Sequence, residues 1–155
     1  MENDIKIEMS RQLTKQLNYK PVSEEQYERL IIPLKLMGVT ILRGEEWVER
    51  HLDEMNAQAS NFGKDIVLFR KDISISAILE ETYHIIQNRQ GMNDDKNSEL
   101  REILNEIDAK EYLLRIAKQY GIPRDESNET EMQLKQYKEA LQNYNAKRGG
   151  TNEYS

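Results

Sequence analysis

The sequence contains no cysteine, which excludes disulfides, thiolate metal sites and a cysteine nucleophile and leaves the redox compartment undetermined. Histidine is almost as scarce. There are two, His51 and His84, so any metal would have to be held by imidazole together with carboxylates. Basic residues are outnumbered, 22 Lys and Arg against 28 Asp and Glu, for a formal net charge of −6. A general phosphate-binding surface needs the opposite balance, which argues against nucleic-acid binding. No segment approaches the roughly 20 apolar residues of a membrane span. The N-terminal "MENDIKIEMSRQL" carries acids where a signal peptide carries an apolar run. There is no Gly-rich phosphate loop and no Ser-His-Asp arrangement. The chain therefore reads as soluble, cytoplasmic or exported without a cleaved signal, and as either a whole gene product or one domain of a larger one.

What is present is a set of periodic apolar stretches within 155 residues, enough for a single domain with one modest core. Ser23 with Gln26 forms the pattern of a capping box and opens a helix that Pro33 is expected to stop near Ile32. "GVTIL" at 38–42 and "DIVLF" at 65–69 read as strands, separated by a helix over 45–59. A third helix runs from Ile73 or Ser74 to Gln90 and ends at Gly91. The polar loop "GMNDDKN" leads to a long helix over 98–120, which "GIP" terminates, and a last helix spans 126–145. Residues 1–20 read as a short helix or a loose arm, and 147–155 as a loose tail. The fold class expected is α+β and mostly helical, with a short two- or three-stranded sheet.

The helix over 73–90 carries the chemistry. At 100° per residue Ile75, Ile78, Leu79, Thr82, Tyr83, Ile85 and Ile86 share one broad face, and Glu80, Glu81, His84, Gln87 and Asn88 the other. Glu80 and His84 are four residues apart, so their side chains lie about 5–6 Å from one another at Cβ. Two readings follow: a solvated face bearing an i,i+4 pair, or two donors converging on an ion. Glu106, 22 residues after His84, lies on the stripe that Ala109, Leu113 and Ala117 continue, with Glu102 one turn earlier. A carboxylate on an apolar stripe needs a partner, either a nearby Lys or Arg or a metal shared with the preceding helix.

These residues resemble those of zincin-like metallopeptidases, in particular the small gluzincin-type domains of bacterial polymorphic toxins and of phage or mobile-element proteins. The likeness covers about residues 60–145 and rests on "EETYH" at 80–84, "NEIDA" at 105–109 and the preceding strand "IVLF", with His84, Gln87 and Gly91 continuing the pattern. It implies that Glu80, His84 and Glu106 are metal ligands and that Glu81 is the general base taking a proton from metal-bound water. It also implies that a peptide substrate lies along the 65–69 strand as an added strand. The implied activity is zinc-dependent peptide-bond hydrolysis by a toxin or effector domain, with a protein or peptide substrate and an immunity protein as partner. The family pattern has histidine where this chain has Glu80. A second carboxylate weakens the Lewis acidity of the ion and opens the site to Mn²⁺ or Fe²⁺. The competing reading is an inactive zincin-like domain, or a helical interaction module that works by binding a protein.

Other polar and aromatic residues are assigned structural roles. His51 lies among Trp47, Leu52 and Met55 and reads as packing, and Arg70 and Lys71 merely flank a strand. Among Tyr120, Tyr137 and Tyr144, any of which would supply an oxyanion-stabilising hydroxyl, the sequence selects none. The last helix is expected to brace the domain or to present a partner surface.

Overall fold

The computed structural model describes residues 19–152. The expectations for residues 1–18 and 153–155 lie outside them. Two short helices, α1 (Glu24–Leu30) and α2 (Ile32–Leu36), lead to strand β1 (Thr40–Arg43), helix α3 (Glu46–Met55) and strands β2 (Ala59–Phe62) and β3 (Ile66–Phe69). Three longer helices complete the chain: α4 (Ile75–Gln90), α5 (Ser98–Tyr120) and α6 (Arg124–Asn152). The result is a mostly helical α+β fold with a three-stranded sheet. Among the described residues no helix is long and apolar enough to cross a membrane.

The caps behave as the sequence predicts at most ends. Ser23 and Gln26 form a reciprocal capping box on α1, Ser74 accepts from the Ala77 N–H at the start of α4, and Gly91 closes α4 in the left-handed region at φ 67°. Pro33 differs from expectation. The chain breaks at Ile31, and Pro33 sits in the first turn of α2, where its missing N–H would have had no intrahelical acceptor anyway. The last helix also runs further than expected, past Asn145 to Asn152.

The larger correction concerns the sheet. Helix α3 stops at Met55 because Asn56 turns left-handed (φ 53°, ψ 44°), and the residues expected to finish that helix lead into β2 instead. Strand β2 pairs antiparallel with β3, while β1 pairs with β3 in parallel, giving the order β1-β3-β2. The 65–69 strand is therefore central, with neighbours on both sides, and has no free edge for an added peptide. The edge nearest α4 belongs to β2. "ASNF" offers no apolar alternation, so its strand state comes from pairing with β3 and not from its own pattern.

Alternation in β3 divides the core. Val67 and Phe69 face α4 and α1, packing with Tyr27, Ile31, Leu34, Ile78 and Ile85, whereas Leu68 faces Val48 and Leu52 of α3. Helices α5 and α6 double back on each other through Ile103, Ala140 and Tyr144, and α5 reaches α4 through Leu113, Ile75 and Leu79. The apolar face of α4 is thus covered as expected. Its polar face is covered too, since Glu81 and Gln87 are buried against β2 and α5. The solvated-face reading of α4 does not hold at these positions.

Candidate metal centre

Glu80 and His84 project from α4 and meet Glu106 from α5. One donor atom from each of the three lies within 4.8 Å of the other two. The nearest pair is His84 Nε2 and Glu106 Oε1, 2.6 Å apart. These three, with Glu81, Asn61, Lys110 and Tyr137, line a cleft of about 410 Å³. All four residues singled out in the sequence are thereby brought to one place.

The orientation of His84 is fixed by its neighbour on the helix. Gln87 Nε2 donates to the Asn105 carbonyl (2.9 Å) and to Asp108 Oδ2 (3.2 Å), which leaves Gln87 Oε1 as the acceptor that faces His84 Nδ1 at 2.7 Å. Nδ1 therefore carries a proton, and Nε2 is the atom presented to the cleft. Tyr83 completes this support by donating to Asp108 Oδ2 at 2.6 Å; burial, with the Asp108 contact, pushes the Tyr83 hydroxyl up to about 12.

Electrostatics in the cleft are strongly coupled. Burial alone would lower the proton affinity of His84, but the charge and hydrogen bond of Glu106, with Glu81 and Glu80 behind them, push it up to about 10. Glu81 moves the same way for a different reason: burial raises its carboxyl, only partly offset by His84 and by the Asn61 amide that donates to Oε2 at 2.7 Å. Lys110, one turn beyond Glu106, is buried with its ammonium on Glu80 Oε1 and 3.9 Å from Glu106 Oε1. Burial disfavours that charge, yet Glu106 and Glu80 outweigh it and hold Lys110 above its ordinary value. Tyr137 of α6 donates to Glu106 Oε2 at 3.3 Å.

The donor set fits a divalent ion. Its Nε2 has a tautomer fixed from behind, and Zn²⁺, Mn²⁺ and Fe²⁺ all accept imidazole and carboxylate ligands. Lys110 contends for Glu80, but a carboxylate has two oxygens and accommodates an ammonium and an ion together.

Several members of the site were not found from sequence. Asn61 comes from the unrecognised strand, and Asp108 acts only through Gln87 and Tyr83. Lys110 carried a usable signal, its i,i+4 spacing from Glu106. Of the three tyrosines left open, Tyr137 is the one beside the carboxylates; Tyr144 pairs with Asn97 and Tyr120 is exposed. His51 packs against Phe62, away from the cleft, in keeping with a structural role.

No family model, curated protein or solved structure matches this chain.

Proposed function

We propose that the cleft is the active site of a metal-dependent peptide hydrolase in which Glu80, His84 and Glu106 hold a divalent ion, zinc in the first instance, and Glu81 is the general base. The observation that supports this best is the convergence of three donor atoms beside a buried carboxyl of raised proton affinity. Once bound, the ion supplies Lewis acidity, polarising a carbonyl and making water ionisable near neutral pH. Glu81 takes up a proton and returns it to the leaving amine, a task suited to a carboxyl whose proton affinity burial has raised. Asn61 tethers Oε2 of Glu81 and so fixes the plane of the carboxyl. Gln87 holds the His84 ring in register, and Tyr137 steadies Glu106. A peptide is the favoured substrate because the cleft runs along 56–61, including the outer edge of β2, where an extended chain gains main-chain hydrogen bonds. A toxin or effector role with an immunity partner rests on the family likeness alone.

The test is metal content after purification without chelators. Wild type is expected to carry one divalent ion, and His84→Ala and Glu106→Ala to lose it. A metal-free wild type that also fails to take up zinc would overturn the reading. Glu81→Gln should retain the ion and lose peptide cleavage.

The contact between Lys110 and Glu80 favours a second reading. Here the ammonium is the permanent counter-cation of the carboxylates, and the cleft serves only to bind a protein partner. It expects no bound metal and a function indifferent to Glu81→Gln.

A further inference from the structure

A groove of about 450 Å³ lies on the other side of α4 from the metal centre, between α1 and α5, and shares no lining residue with the cleft. Ile75, Leu79 and Ile86 line it at helical spacing, a stripe of about three turns or 16 Å. Leu30 and Pro33 face this stripe from one side, Tyr112 and Tyr120 from the other. Tyr83 stacks on Tyr112 with ring centroids 4.2 Å apart and planes 16° from parallel, so the wall on the α5 side is a flat aromatic surface.

Charge sets this groove apart from the rest of the molecule. The chain carries a net charge of −6, yet no Asp or Glu lines the groove, and its one charged lining residue is Arg29 of α1. Arg115 stands on the α5 side, one turn beyond Tyr112. Burial raises the Tyr112 hydroxyl, and Arg115 is the charged group that acts against the rise. Other arginines of the fold are taken by acids: Arg43 pairs with Glu24, Arg70 with Asp53 and Arg89 with Asp65. Arg29 and Arg115 are both exposed, and neither forms an ion pair among the described residues. The hydroxyls of Tyr112 and Tyr120 likewise make no hydrogen bond among them.

We propose that this groove docks an acidic amphipathic helix of a partner protein, its apolar stripe lying along Ile75, Leu79 and Ile86 and its carboxylates reaching Arg29 and Arg115 on the two rims. A floor of three turns matches the anchors that a helix presents at i, i+4 and i+7. Cations on opposite rims attract acids on both flanks of such a stripe and repel Lys or Arg there, so the groove selects by charge what it holds by apolar contact. Tyr112 and Tyr120 add hydroxyl donors for the same carboxylates. The proposal is independent of the metal and of the hydrolase reading, because the groove and the cleft have no residue in common.

The test titrates two blocked helical peptides into the full chain by calorimetry at low salt. Both carry a leucine stripe at i, i+4, i+7 and i+11, and they differ only in whether Glu or Lys flanks it. The Glu peptide should bind about tenfold more tightly, the scale of two exposed ion pairs replaced by two repulsions. The double variant Arg29→Glu/Arg115→Glu should reverse that preference. Arg50→Glu/Lys138→Glu makes the same change in net charge on α3 and α6, outside the groove, and should leave the preference in place. All four side chains are exposed, so neither double variant disturbs the core. Tyr120→Ala should weaken the Glu peptide by about threefold or more. Equal binding of the two peptides to wild type, no binding of the Glu peptide at millimolar concentration, or an equal loss in both double variants overturns the proposal. Dimerisation that only Arg29→Glu/Arg115→Glu abolishes would give the groove to a second copy and overturn it too.

Discussion

His84 and Gln87, one turn apart on α4, are joined by a 2.7 Å contact between Nδ1 and Oε1, and this contact decides which imidazole nitrogen faces Glu106. Gln87 has no freedom to reverse its amide, because its nitrogen is already committed to the Asn105 carbonyl and Asp108. Gln87→Met removes the tether and strands these buried partners. It should cost about 1–3 kcal/mol in stability and weaken zinc binding by about 10–100-fold. Urea unfolding and a competitive zinc titration measure the two effects separately. A variant that loses stability but keeps its zinc affinity would reduce Gln87 to a packing role.

Removing the ammonium at Lys110 should have opposite consequences with and without metal. In Lys110→Met the metal-free protein keeps buried carboxylates whose counter-charge has gone, a loss of about 3–5 kcal/mol for breaking such a pair. Zinc affinity should rise, by about tenfold or more, since the ion no longer shares Glu80 with a like charge. Melting temperature with EDTA and with zinc reads both. A variant destabilised equally in the two conditions would favour the permanent counter-cation.

Glu81 is expected to trade stability for chemistry. Glu81→Gln keeps an acceptor for the Asn61 amide and removes a buried carboxyl whose ionised form is disfavoured by burial, by Glu80 and by Glu106. The variant should be more stable than wild type at pH 8 by about 1 kcal/mol or more. Peptide cleavage should fall by a factor of about 10²–10⁴. Chemical denaturation and a fluorogenic peptide assay test the pair of outcomes.

The metal-free protein should lose stability in mild base. His84 has its proton affinity raised from about 6.5 to about 10, chiefly because Glu106 overcomes the effect of burial. A raised folded value means that the stabilisation is complete below about pH 6.5 and is lost as the pH climbs to about 10. Glu81, also raised, acts with the same sign, so wild type is compared with His84→Gln to isolate the imidazole. The stability difference between the two proteins should shrink steadily over that interval in EDTA. A constant difference would mean that no imidazolium–carboxylate pair exists.

The helices were legible because their signals are local. Ser23 with Gln26, Gly91 and the stripe of Ala109 and Leu113 each act within a turn or two, and Glu106 stood out as a charge on an otherwise apolar surface. The residues that were not legible owe their places to contacts across the fold. Strand β2 is a strand only because β3 lies beside it, and with it went Asn61 and the identity of the sheet edge. Tyr137 could not be told from Tyr120 or Tyr144 because the way α6 folds back on α5 selects it. Lys110 lay within reach of local reasoning, but its choice of Glu80, 30 residues away, did not.

Helix α4 gives up both of its sides to the interior, one to the sheet and α1, the other to β2 and α5. Such a segment behaves as an internal strut with no face on which sequence drift is harmless. In a saturation mutagenesis scored for folded yield, positions 78, 79, 81, 82, 85 and 87 should therefore all be intolerant, breaking the three-to-four-residue rhythm of tolerated sites that an ordinary amphipathic helix gives. Tolerance should return at Gln90, where the last turn emerges into water, whereas Arg89 beside it still donates to the Lys64 and Met37 carbonyls.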